Sequence, residues 1–287
     1  MEAFKQILPL LLTLSLAGLV LTVGLKAVAG DLMYVLSRPT LLVKAVLAVD
    51  VIPPLTAAAL IWFLPLEPVV KAGIMLMAIS PVPPLVPGKE LKMGGRQAYA
   101  YGVYVAMALL TIVVVPLVFD LAARLFGHGR TLPVALIAKT VTTGVLIPLV
   151  LGMLIRSRAP AFADRAAPLV YKLSMLLVLL AFLPMLVAIW PAITALIGNG
   201  AVLAMALLAL VTLLGGHLLG GPEPLDRGVL AVASSVRHPG IAMLIANATF
   251  NDKRVTAAVL LYMIVSLLVG IIYQAWFKRQ MIATQPS

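Results

Sequence analysis

The ten residues Ala233-Ser-Ser-Val-Arg-His-Pro-Gly-Ile-Ala242 constrain this chain more than any other stretch. They lie inside an apolar run, roughly residues 228–250, long enough to cross a bilayer as a helix. Yet an arginine, a histidine and a Pro-Gly pair stand near its middle. A charge at the bilayer centre costs about 2.5–3.5 kcal/mol on insertion scales. Pro239 has no amide hydrogen and Gly240 loosens the turn, so carbonyls and amides beside them lose their helical partners. In lipid such a defect persists only where protein buries it or where it lines a wet cavity.

A second stretch has the same character: Ser80-Pro-Val-Pro-Pro-Leu-Val-Pro-Gly-Lys-Glu90. It interrupts an apolar run with Pro81, Pro83, Pro84 and Pro87, which leave several carbonyls unpaired. Those carbonyls can receive Arg237, Lys89 or a polar substrate. Two interrupted hydrophobic segments, one in each half of a chain, point to a transporter site built from inverted repeats. We expect the helix breaks at Pro81, Pro83 and Gly88 in the first stretch, and at Pro239 and Gly240 in the second. The plainer alternative is an ordinary loop or kink at each place.

Apolar runs of this kind recur from end to end. The 287 residues are 63% hydrophobic and 11% charged, where a soluble domain averages about 25% charged residues. The chain therefore reads as an all-α polytopic membrane protein with a single transmembrane domain over residues 1–287. With no cysteine, disulfides, thiolate metal sites and a cysteine nucleophile are excluded. Neither HExxH nor GxSxG occurs, and Asp50 is a lone intramembrane aspartate, so an intramembrane enzyme is not expected. No cofactor and no metal site are expected either. The run Ile7 to Ala29 exceeds a signal peptide's apolar core and reads as a retained first helix.

About nine spans follow from the pattern: roughly 6–29, 40–64, 68–94 (broken), 97–126, 131–156, 166–192, 199–220, 227–250 (broken) and 255–277. The N-terminal face holds six basic residues in its loops: Lys5, Lys71, Arg124, Arg130, Lys253 and Arg254. The opposite face holds thirteen, from Lys26 and Arg38 through Lys278 and Arg279. The richer face is expected in the cytoplasm. That puts the N-terminus outside and the C-terminus inside a cytoplasmic (inner) membrane. This asymmetry accounts for the net charge of +11 without any nucleic-acid partner. Trp62 and Trp190 would mark the outer interface, Tyr273 and Trp276 the inner one. A broken span followed by an unbroken one occurs in both halves. This suggests inverted repeats over about 6–126 and 131–277, the first repeat one helix short.

The run Val23-Gly-Leu-Lys26, Asp31-Leu, Ser37-Arg-Pro39 and Asp50-Val-Ile-Pro-Pro54 resembles the bile acid:sodium symporter family. So do Ile147-Pro-Leu-Val-Leu-Gly152 and Pro239-Gly-Ile-Ala242. The likeness covers nearly the whole chain and suits a divergent, bacterial-type member. It implies a core domain with two crossing broken helices, a panel domain, and elevator-like or rocking movement of organic anions. Members have nine or ten spans; nine here would mean the first is absent. The family's sodium-ligand positions fall near Val82-Pro83 and Val86-Pro87, at Ala233, Arg237 and His238, and at Val49 beside Asp50. Sodium needs hard oxygen ligands, which almost none of these side chains supply, and an arginine there repels it.

Arg237 is the foremost candidate. Its guanidinium is always charged and offers five donors. It either replaces the sodium ion as a fixed cation tying the crossed helices, or clamps a substrate carboxylate or phosphate. A snorkelling arginine is the alternative. Asp50 is expected to be neutral or paired with Arg237, its partner by the family's geometry. Its protonation would leave proton coupling open. His238 either relays a proton or simply packs. Ser234 and Ser235 face the crossing or bond back to their own helix. Lys89 and Glu90 either end the first broken helix or form a loop pair. Thr142, with Lys139, Thr140 and Thr143, forms a polar strip that faces a cavity or bonds within its helix. Tyr99, Tyr101 and Tyr104 line a cavity mouth or belong to an aromatic belt.

Together these readings suggest a secondary active transporter of a small organic anion, working by alternating access without sodium. The expected partners are that anion, the lipid bilayer and, through Asp50, protons. The alternatives are a sodium-coupled symporter using backbone carbonyl ligands, and a membrane sensor or receptor without transport.

Overall fold

The computed structural model describes residues 2–126 and 134–283. Arg130 and His128 lie outside the described residues. Everything described is helix or short connection. The helices are α1 (Glu2–Lys26), α2 (Ala29–Leu36), α3 (Pro39–Val46), α4 (Ile52–Phe63), α5 (Pro68–Ile79), α6 (Val86–Lys92) and α7 (Gln97–Phe126). Then come α8 (Val134–Val141), α9 (Ile147–Arg158), α10 (Pro160–Ala195), α11 (Ala201–Leu219), α12 (Pro224–Ser235), α13 (Pro239–Thr249) and α14 (Arg254–Ala283).

Proline sets most of these starts. It occupies the first or second position of α3, α4, α5, α6, α9, α10, α12 and α13. There its missing amide hydrogen has no helical partner to lose and its fixed φ suits the helix. Two π turns, Leu47–Val51 and Thr142–Leu146, join α3 to α4 and α8 to α9. Each ends two residues before a proline, Pro53 or Pro148. Within an α-helix the proline ring would clash with the carbonyl four residues back. The wider turn, in which Ile52 donates to the Leu47 carbonyl, is one way past that clash.

Among the described residues, seven helical segments are long and apolar enough to cross a membrane, and an eighth counts if α1 and α2 are taken as one bent span. The third expected span, over 68–94, is interrupted at residues 80–85. Its α5 has 12 residues, about 18 Å at 1.5 Å per residue, against a hydrocarbon core of about 30 Å. The expected first span also changes direction. It turns by 83° after Lys26 into α2, where Asp31 accepts the Val28 amide at 2.9 Å.

Helix α1 packs along α9 and α10. The α1–α9 contact is backbone on backbone at Gly24 and Gly152. A Cβ on Gly152 would lie 2.8 Å from the Gly24 Cα and from the Leu25 nitrogen. The remaining helices gather around the two breaks: α11 against α12, α14 and α4, and α14 against α5. The degree of enclosure differs sharply. In the segment formed by α12 and α13, 83% of the apolar window is buried, against 11% in α10. The polar break thus lies in the most enclosed span, and α10 turns its leucines outward.

Two aromatic expectations change. Tyr99, Tyr101 and Tyr104 are neither a belt nor a cavity mouth, because α7 buries all three in the core. Tyr273 is also buried rather than interfacial, since its hydroxyl meets His217 Nδ1 at 2.8 Å. Trp62, Trp190 and Trp276 remain on the surface.

Replacing Gly152 by leucine should lower the melting temperature of the purified protein. The added bulk meets main chain, and overpacking costs about 1–3 kcal/mol. Gly88→Ala should instead raise it slightly, by up to about 1 kcal/mol, because a Cβ in α6 at that point meets nothing within 4 Å.

Candidate functional site

In an α-helix the carbonyl of residue i receives the amide of residue i+4. For Val49, Ser80 and Ser235 that residue is a proline: Pro53, Pro84 and Pro239. Three carbonyls therefore face inward without a helical amide to receive. A single side chain takes two of them. Arg237 Nη1 donates to the Ser80 carbonyl at 3.2 Å, and Nη2 to the Val49 carbonyl at 2.5 Å. The backbone amide of His238 donates to the Pro81 carbonyl at 3.0 Å. The two breaks thus meet, and Arg237 is sealed between them at 3% exposure.

The breaks span Ser80–Leu85 and Val236–His238. Pro81, Pro83 and Pro84 lie in the first. Pro87 and Gly88 fall past it, as part of α6, so Gly88 is not a break residue. Its helical neighbours and the absence of any close contact leave it an ordinary helical position. Pro239 and Gly240 likewise open α13 rather than interrupt a helix. The interruption is set just upstream, because a proline disfavours helical backbone in the residue before it.

Arg237 and Asp50 do not form the expected ion pair among the described residues. The guanidinium is turned to the backbone carbonyls instead, and its Nε has no hydrogen-bond partner. Asp50 is half-buried in the first π turn, within electrostatic reach of Arg237. Its Oδ2 also lacks a partner. The carboxyl lines a crevice with Pro54, Ile79 and Val118, of ≈ 170 Å³ including the part open to the outside. Almost none of that space admits even a water-sized body, so the crevice is too small for an organic substrate in the present conformation.

His238 caps α13, its Nδ1 accepting the Ile241 amide at 3.4 Å, and its buried Nε2 has no partner. Ser234 donates to the Thr212 carbonyl of α11 at 2.7 Å and to Ala231 of its own helix at 3.0 Å. Ser235 donates to the Val232 carbonyl. The serines therefore hold α12 in place and do not reach Arg237. Lys89 is half-buried in α6. Thr142 opens the second π turn, and Gly144 in that turn would place a Cβ 3.6 Å from Ile241 of α13. The arrangement brings Arg237, His238, Pro81, Pro84 and Asp50 together. It leaves Lys89 and Thr142 outside that group.

Tyr262 of α14 was not legible as part of this centre. It is buried at 1% exposure and within electrostatic reach of Arg237. A tyrosine near the middle of an apolar span is the sign the sequence carries. Glu90, expected in a loop, is buried in α6.

Removing the guanidinium should unseat the crossing. Arg237→Met leaves the Val49 and Ser80 carbonyls without donors, at about 1–3 kcal/mol for each unsatisfied buried group. Its melting temperature should drop by several degrees. Arg237→Lys keeps the charge but loses the fork, and should recover only part of the loss. An unchanged melting temperature for both would remove the tie.

No curated protein matches the chain. A family profile, that of the Sodium Bile acid symporter family, matches residues 12–194. The matched stretch covers α1 to α10, both π turns and the first of the two breaks that Arg237 joins. The chain is a member of the sodium bile acid symporter family.

Proposed function

We propose that the chain is a secondary active transporter of a small organic anion, working by alternating access without sodium, with Arg237 standing where a coupling cation would. Family membership implies a transporter of bile acids or other organic anions. The observation that carries the finer reading is the placement of the guanidinium. It bonds carbonyls of both the Val49 and the Ser80 stretches, as a bound cation would. This favours a resident tie over a substrate clamp, since an arginine at 3% exposure is closed off from any carboxylate in this conformation. It also counts against a sodium ion held by the same carbonyls.

On this reading α1 with α8, α9 and α10 forms a panel, and the helices around the breaks form the moving core. The inverted repeats run over about 6–126 and 131–277. The face richer in lysine and arginine is cytoplasmic, with the N-terminus outside a cytoplasmic membrane. Asp50, unpaired in its crevice, is the residue that would meet substrate or carry a proton as the crevice opens.

Thermal unfolding of the purified protein in sodium against choline at equal ionic strength tests this reading. A sodium site filled to 100 times its Kd would add about 2.7 kcal/mol, a shift of several degrees for a chain of this size. We expect no saturable sodium shift. A saturable one would mean that carbonyls near the breaks hold the ion after all. Flux of bile acids and small carboxylates into proteoliposomes then separates a transporter from a sensor: a sensor binds without flux.

A further inference from the structure

Away from the crossing, where α6, α7 and α12 meet, three polar side chains are shut off from solvent, each with a buried oxygen that makes no hydrogen bond. Glu90 of α6 is 1% exposed, Asp226 of α12 is 2% exposed and Tyr99 of α7 is 0% exposed. Glu90 Oε1, Asp226 Oδ1 and the Tyr99 hydroxyl all lack a hydrogen-bond partner. Tyr99 lies within electrostatic reach of both carboxyls, which puts the three groups in one neighbourhood.

The surrounding charges do not neutralise it. Arg96, just before α7, comes only to 4.0 Å of Asp226 Oδ1. Its Nη1 is engaged by the Tyr34 hydroxyl at 2.6 Å. Arg38 lies over the Tyr34 ring at 3.8 Å. Among the described residues no cation stands within ion-pair distance of Glu90. On its own helix, Lys89 is half-buried and Lys92 exposed. The other acidic groups add negative charge: Glu223 acts on Asp226, and Asp31 shares with Glu90 the neighbourhood of Tyr101.

An ionised carboxylate without a partner in such surroundings costs several kcal/mol. The donor set also limits what fills the gap. Ca²⁺ takes about 6–8 oxygens, and among the described residues no three His, Cys, Asp or Glu side chains gather as a metal site. A proton fits. A protonated carboxyl carries no charge, so it removes the cost of holding an unpaired anion there. We propose that Glu90 is a proton-binding residue, its carboxyl carrying an exchangeable proton in a site shared with Asp226 and Tyr99. The proposal is independent of the transport reading, because it concerns the state of one carboxyl whatever the chain carries.

Infrared spectroscopy of the purified protein in a maltoside detergent, which has no ester carbonyl, tests it. The glutamates are Glu2, Glu67, Glu90 and Glu223, so carbon-13 glutamate labelling isolates very few groups. The expected result is a protonated-carboxyl stretch at neutral pH that shifts on glutamate labelling and in heavy water. It should vanish in Glu90→Gln and move in Tyr99→Phe. If Glu90→Gln does not fold, the labelled wild-type protein still decides. Only ionised glutamate bands at neutral pH would overturn the proposal. So would a protonated band that ignores glutamate labelling, which would place the proton on an aspartate such as Asp226.

Discussion

The crossing rests on a guanidinium answered by dipoles rather than by an acid. Ser80 caps the C-terminal end of α5, where a helix presents the negative end of its dipole and unpaired carbonyls. Arg237 donates to that carbonyl and to the Val49 carbonyl within the first π turn. In a low-dielectric interior such oriented groups act strongly on a charge. The prolines at positions 53 and 84 are what make the two carbonyls available. The arginine and the prolines form one device, and neither part suits an apolar span alone.

Much of this device can be read from the chain. An arginine at the middle of an apolar run must be buried by protein or reach water, because lipid does not solvate its charge. The glycine-bearing stretches around Gly24 and Gly152 look unrelated in sequence, yet they prove to be the two faces of one backbone contact.

What stayed hidden depends on partners far apart in sequence. The sequence offered Arg237 both Asp50 and the carbonyls freed by the proline run, and nothing in side-chain charge ranks the two or points to the Val49 carbonyl. Tyr99, Tyr101 and Tyr104 read as a belt because tyrosines at a span end usually are; their burial follows from how α2 and α12 cover α7. Glu90 and Asp226 sit beside turn residues and therefore look solvated, although the fold closes over both.

The bonds made by Arg237 reach across 157 residues to Ser80 and 188 residues to Val49. Synthesis runs from the N-terminus, so α5 and the proline run emerge long before the arginine that completes them. Until then their open carbonyls must be met by water at the membrane surface or by the insertion machinery. The first half of the molecule consequently waits, unfinished, for the second. A chain cut short before Arg237 would leave a half-helix with no settled place in lipid, a natural target for membrane quality control.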